Sequence, residues 1–148
     1  MMEKYNNQVT LLMKSLSQNE SLARTVVTAF VAPLDPNINV LTDIKTAVSE
    51  AVTNAVIHGY QGEKGEIKLG LSLQDGELRV TVSDQGAGIP DIEQAMEPLF
   101  TTTLPEMERA GMGFTVMESF MDSIKVSSRP GQGTTVEMIK NLDLDNGS

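Results

Sequence analysis

The chain has 148 residues, a net charge of −9 and 40% hydrophobic residues, which suits one globular domain with a single core. The acidic balance and low aromatic content (four Phe, two Tyr, no Trp) argue against a protein that grips DNA or stacks single strands. With no cysteine and one histidine, neither a disulfide nor a thiolate metal site is possible, and the histidine alone cannot hold a metal.

Val9, Leu11 and Met13 alternate with polar neighbours, predicting a half-buried strand over 8–13. Ser17-Gln-Asn-Glu-Ser21 favours a helix start, and Leu22, Val26, Ala29 and Phe30 carry the helix to about Ala32. Pro33 and Pro36 end it in a turn, Leu34–Asn37. A second helix is predicted over roughly 42–58, capped by Thr42 or Asp43 and stopped at Gly59. Its stripe is Ile44, Ala47, Val48, Ala51, Val52, Ala55 and Val56, with Glu50, Asn54 and His58 four apart on the other side. After the linker 61–65, Ile67, Leu69, Leu71 and Leu73 alternate, then Leu78, Val80 and Val82, with Asp75-Gly76 as the hairpin turn between them.

A third helix follows the glycines at 111–113, burying Phe114, Met117, Phe120 and Met121. Ile124–Val126 and Thr135–Ile139 read as two strands joined by the turn Arg129–Gly133, and 143–148 as a frayed tail. The expectation is one domain over 1–148, an α+β two-layer sandwich with helices on one face of a mixed, mostly antiparallel sheet. No apolar run approaches the ~20 residues of a spanning helix, and the N-terminus lacks a signal-peptide pattern. A cytoplasmic protein without a membrane partner is expected.

Three short strings carry chemistry. Glu50 and Asn54 fit an ordinary solvated helix face, yet that face is poor in charge after Lys45. An Asn carbonyl suits magnesium, and a Glu one turn away can take a proton from an incoming hydroxyl. Asp84-Gln-Gly86-Ala-Gly88 fits a plain turn after a strand. It equally fits an adenine site, where the acid accepts the exocyclic amine and the glycines let the backbone approach the ring. Gly111-Met112-Gly113-Phe is either a simple helix start or an anion site built on free N–H groups. Neither glycine cluster is a P-loop. Between the second and third strings, about 91–110 lacks periodicity and carries Pro98, Pro105, Thr101, Thr102, Thr103 and Arg109. Such a connection fits a lid over phosphates, with Arg109 either neutralising charge there or simply exposed. His58 reads as helix-end packing or capping, and the nine methionines as core filler.

In order and spacing these strings resemble the N, G1 and G2 boxes of the GHKL superfamily, the ATP-binding (Bergerat-type) fold of gyrase, Hsp90, MutL and histidine kinases. The size resembles the bacterial anti-sigma serine kinases. Ser17–Arg24, Val48–Tyr60, Pro98–Thr102 and Glu108–Phe114 are similar to their sporulation branch, over about residues 8–142. Thr101-Thr-Thr-Leu104 departs by an extra residue or two, which touches only the details of the lid.

The resemblance implies ATP or ADP with Mg2+, in a site that includes Asn54, Asp84, Gly86, Gly88, Thr101, Thr102, Gly111, Met112, Gly113 and Thr134. It implies Asn54 as the magnesium ligand, Glu50 as base and Arg109 beside the γ-phosphate. It implies a homodimer that sequesters a sporulation sigma factor and phosphorylates a serine on an anti-anti-sigma factor, with no direct contact to nucleic acid. Arg24 matches the partner-contact arginine, which composition alone does not single out over Arg79 or Arg129. The alternatives are an ATP-gated sigma-binding module of the stress-response type and a stand-alone ATPase.

Overall fold

Two strongly alternating segments build the centre of the sheet. In a computed structural model describing residues 5–59, 65–85, 114–129 and 133–142, β2 (Glu66–Gln74) and β3 (Glu77–Asp84) pair antiparallel in register. Ile67, Leu69, Leu71, Leu73, Leu78, Val80 and Val82 are all buried on one face. Each such side chain contributes about 1.5–3 kcal/mol when fully buried. Asp75 and Gly76 join the strands with φ of 52° and 83°, the left-handed pair that a two-residue hairpin turn requires.

The sheet is completed by β1 (Asn7–Lys14), β4 (Ser123–Arg129) and β5 (Gly133–Asn141) in the order β1-β2-β3-β5-β4. Every pairing among the described residues is antiparallel, in keeping with the mostly antiparallel sheet expected from the sequence. Ser15 clamps the start of β2, its amide donating to Gly65 O at 2.9 Å while its hydroxyl accepts from Gly65 N at 2.8 Å. Register puts Val9, Leu11 and Met13 on the face of Leu71, Leu69 and Ile67, as their alternation predicts. Burial fades along that edge strand, from Met13 at 4% exposed to Val9 at 37%.

The helices cover this one face. In α1 (Asn19–Val31), Ala23, Val27, Phe30 and Val31 are buried, whereas Leu22 is exposed. A 3-10 turn, Ala32–Leu34, follows, and Asp35 closes it at φ 49°. α2 runs Ile38–Asn54, four residues earlier than its apolar stripe suggested. Its cap is neither Thr42 nor Asp43 but Asn37, whose side chain accepts from Val40 N at 2.9 Å. The predicted stripe is buried except for half-buried Val56. Beyond Asn54 the helix widens into a π-helical turn, Ala55–Gly59, so the spacing that aligns Glu50 with Asn54 does not extend to His58.

The third helix, α3 (114–120), buries Phe114 and Met117, and Met121 just beyond it, but leaves Phe120 half-buried. Lys140 on β5 holds its end, donating from Nζ to Phe120 O at 2.7 Å and lying 3.7 Å from Asp43 of α2. No helix among the described residues is long and apolar enough to cross a membrane.

Candidate nucleotide-binding site

The site forms where α2 runs out over the end of the sheet. Asn54 is the last α-helical residue, and the π turn behind it packs on β3 and β5. Although the sequence put Asn54 on the polar side of the helix, it is only 7% exposed. Its Nδ2 is buried without a hydrogen-bond partner among the described residues. An unsatisfied buried amide donor costs about 1–3 kcal/mol, so this position calls for an oxygen acceptor. Glu50, one turn earlier, is half-buried and makes no hydrogen bond or ion pair among the described residues.

Asp84 ends β3 and is 5% exposed. Two residues on from Val82, it stays on the helix-covered face, between Ile67 of β2 and Thr134 of β5 as register partners. Thr134 is also buried, and its hydroxyl shares a 2.8 Å hydrogen bond with Ser128 Oγ, which lies 3.1 Å from Gly133 O and can donate to it. The sequence placed these two candidates fifty residues apart, and the β3–β5 register makes them neighbours.

Gly133 fixes that junction. At φ 90° it adopts backbone geometry that disfavours any L side chain. A Cβ there would sit 2.0 Å from the carbonyl oxygen of Asp84 and 2.8 Å from Gln85 Cα. Close main-chain approach, rather than turn chemistry alone, explains this glycine.

The described part of the site suits a nucleotide. It offers a buried carboxylate at a strand end, a buried hydroxyl beside it, and an amide with both a hard oxygen and an unsatisfied donor. No cluster of three or more His, Asp or Glu able to hold a metal occurs among the described residues. Gly86, Gly88, Thr101, Thr102, Arg109, Gly111, Met112 and Gly113 lie outside the described residues, as does the tail 143–148.

Arg24 lies elsewhere, on α1, with a half-exposed side chain whose buried Nε pairs with Glu20 at 2.7 Å. Arg79, which composition could not separate from it, sits on the open face of the sheet between Glu137 (3.0 Å) and Glu77 (3.4 Å). The hydrogen bond and charge of Glu137, then those of Glu77, raise its pKa above the usual arginine value. Sequence reading missed Glu20 and Ser49, which join α1 to α2 through a Ser49 Oγ–Glu20 hydrogen bond. The four-residue spacing of Glu20 and Arg24 was the available signal. A polar cleft of about 500 Å³ lined by Thr115, Glu118, Ser119, Asp122, Ser123 and Ile124 contains no candidate residue.

The profile of the histidine kinase-like ATPase domain family matches residues 13–140. An "Anti-sigma F factor" from Caldanaerobacter subterraneus is 57% identical over 136 residues, 92% of this chain and 94% of the relative. Its namesake from Bacillus subtilis (strain 168) is 51% identical over 137 residues, 92% and 93% of the two chains. Among solved structures, the RsbU and RsbW domains of Rv1364c from Mycobacterium tuberculosis superpose with a TM-score of 0.67 at 22% identity, covering 92% of this chain and 32% of that one. The catalytic domain of histidine kinase ThkA gives 0.57 at 18% identity, covering 90% and 97%. The two structural likenesses support the fold, and the two sequence relatives narrow the kinship further. The chain belongs to the histidine kinase-like ATPase family, within its anti-sigma F factor branch.

Proposed function

We propose that this protein is an ATP-dependent anti-sigma factor and protein serine kinase. With ATP bound it sequesters a sporulation sigma factor, and it phosphorylates a serine on an anti-anti-sigma antagonist, acting as a homodimer. The observation that carries the nucleotide part is the buried Asn54 Nδ2 at the end of α2, which has no hydrogen-bond partner among the described residues and precedes a π turn packed on β3, the strand that ends in buried Asp84. The sigma factor enters through the name of relatives at 51% and 57% identity.

In this reading Asp84 and Thr134 receive adenine, and the ionised carboxylate selects its exocyclic amine. Gly86 and Gly88 pass the backbone close to the ring, while Thr101, Thr102, Gly111, Met112 and Gly113 surround the phosphates. Asn54 would hold magnesium through its carbonyl oxygen, leaving its amide for a phosphate or a bound water. Magnesium there would offset phosphate charge.

Glu50 accepts the proton of the antagonist serine hydroxyl. The serine oxygen bonds to the γ-phosphorus, and the bond to the β–γ bridging oxygen breaks with its electron pair left on ADP. Arg109 offsets charge on the transferring group. Positioning and electrostatics supply most of the acceleration, and the nucleophile arrives with the partner.

Incubation with γ-labelled ATP and a purified antagonist tests the proposal. Label on antagonist serine supports the kinase. ATP-dependent sigma binding without transfer would favour a pure binding module, and free phosphate alone a stand-alone ATPase.

A further inference from the structure

The first two helices meet at one polar anchor that the nucleotide chemistry does not use. Ser49 on α2 donates its hydroxyl to Glu20 Oε2 on α1, across 29 positions of sequence. The same oxygen lies 2.7 Å from Arg24 Nε, off the N–H axis, so the contact is an ion pair rather than an aligned hydrogen bond. On the other side, Arg24 Nη2 donates to Ser21 Oγ at 3.1 Å. One edge of the guanidinium is thus braced from two points, while the side chain as a whole remains 41% exposed.

An ordinary Glu–Arg pair one turn apart on a helix surface holds neither side chain in place. This carboxylate differs because a second helix fixes it. A long side chain ordered before docking loses less rotamer freedom when a partner arrives. Ser49 also immediately precedes Glu50, so the anchor ties α1 to the helical turn that carries the candidate base.

We infer that Ser49, acting through Glu20, is a positioning residue that preorganises Arg24 for partner binding. The inference rests on the reading of Arg24 as the partner contact. The test titrates ATP-loaded protein with purified sigma F factor encoded by the same genome. Ser49→Ala should weaken that binding about 2- to 10-fold, the loss expected for one newly mobile side chain, with ATP affinity unchanged.

Ser49→Thr, which keeps the hydroxyl, should restore it. In an Arg24→Ala background Ser49→Ala should cost nothing further, because its effect passes through the arginine. Equal losses in both backgrounds, no rescue by threonine, or full binding by Ser49→Ala each overturn the inference. If Arg24→Ala itself binds the sigma factor normally, the reading of Arg24 has failed first and takes the inference with it. A normal Ser49→Ala beside a defective Arg24→Ala overturns the inference alone.

Discussion

The far end of α2 and the near end of α1 both present polar groups at the margin of the same core, and they are built in opposite ways. At Asn54 a buried amide nitrogen lacks an acceptor among the described residues, and Asp84 and Thr134, on the two strands the following π turn packs against, are almost wholly out of water. Around Arg24 the side chains are half-exposed, and bracing oxygens come from Glu20 and Ser21. A deep polar site left incomplete favours a small ligand able to complete it, since burial makes each missing bond costly. A braced, half-wet arginine suits a macromolecular surface, where rigid anchors lower the ordering cost of docking. Glu50 stands between the two, one turn before Asn54 and one residue after Ser49.

The sharpest way to break this division is at Glu50. Glu50→Ala should bind ATP and the sigma factor normally while single-turnover phosphoryl transfer to the antagonist falls about 10²–10⁴-fold. Near-normal transfer would remove its role as base. Gly133→Ala should damage the nucleotide end without touching the partner end. Forcing a side chain into φ 90°, with its Cβ against the Asp84 carbonyl, should cost at least about 2 kcal/mol in urea unfolding and reduce ATP affinity. Unchanged stability would mean that the β3–β5 junction yields more easily than its contacts imply.

Asp84→Asn should remain folded but lose about 1.5–3 kcal/mol of ATP affinity, the value of a hydrogen bond to a charged group. Calorimetry with ATP reads it, and wild-type affinity would exclude Asp84 from the site. Arg24→Ala should give the mirror image, losing about 2 kcal/mol of sigma and antagonist binding with ATP affinity intact. Parallel losses of both would erase the distinction between the two ends. Smallest of all, Arg79→Ala should leave the urea-unfolding midpoint essentially unchanged, because its ion pairs are exposed and screened by salt. A larger loss of partner binding there would move the interface to the open face of the sheet.

The middle of the fold was legible in the sequence because its burial follows strict periods. The alternation from Ile67 to Val82 and the stripe from Ile44 to Ala55 both reappear as core. Expectation failed where the period carries no apolar signal. The first turns of α2 were missed because Ile38 is 75% exposed and the stripe begins only at Ile44, which hid the Asn37 cap. Nothing in Ala55–Gly59 announces a π turn, since that widening depends on what the helix end packs against.

At the site, Asp84 was suggested by a short string and Thr134 by the family resemblance, but their adjacency is a product of register. The Ser49–Glu20 link was out of reach for a related reason. Two hydroxyl- and carboxyl-bearing residues on different helices have no periodic relation until the helices are packed.

The collision reserved at Gly133 also has a genetic consequence. Loss of a side-chain function at Asp84 can in principle be compensated by another side chain. A Cβ at position 133 meets a carbonyl oxygen, an atom that all twenty residue types would place there. No replacement at position 84 or 85 can relieve that contact by itself. A suppressor screen should therefore recover true revertants of Gly133→Ala, or distant changes that move a whole strand, and no compensating pair at the junction.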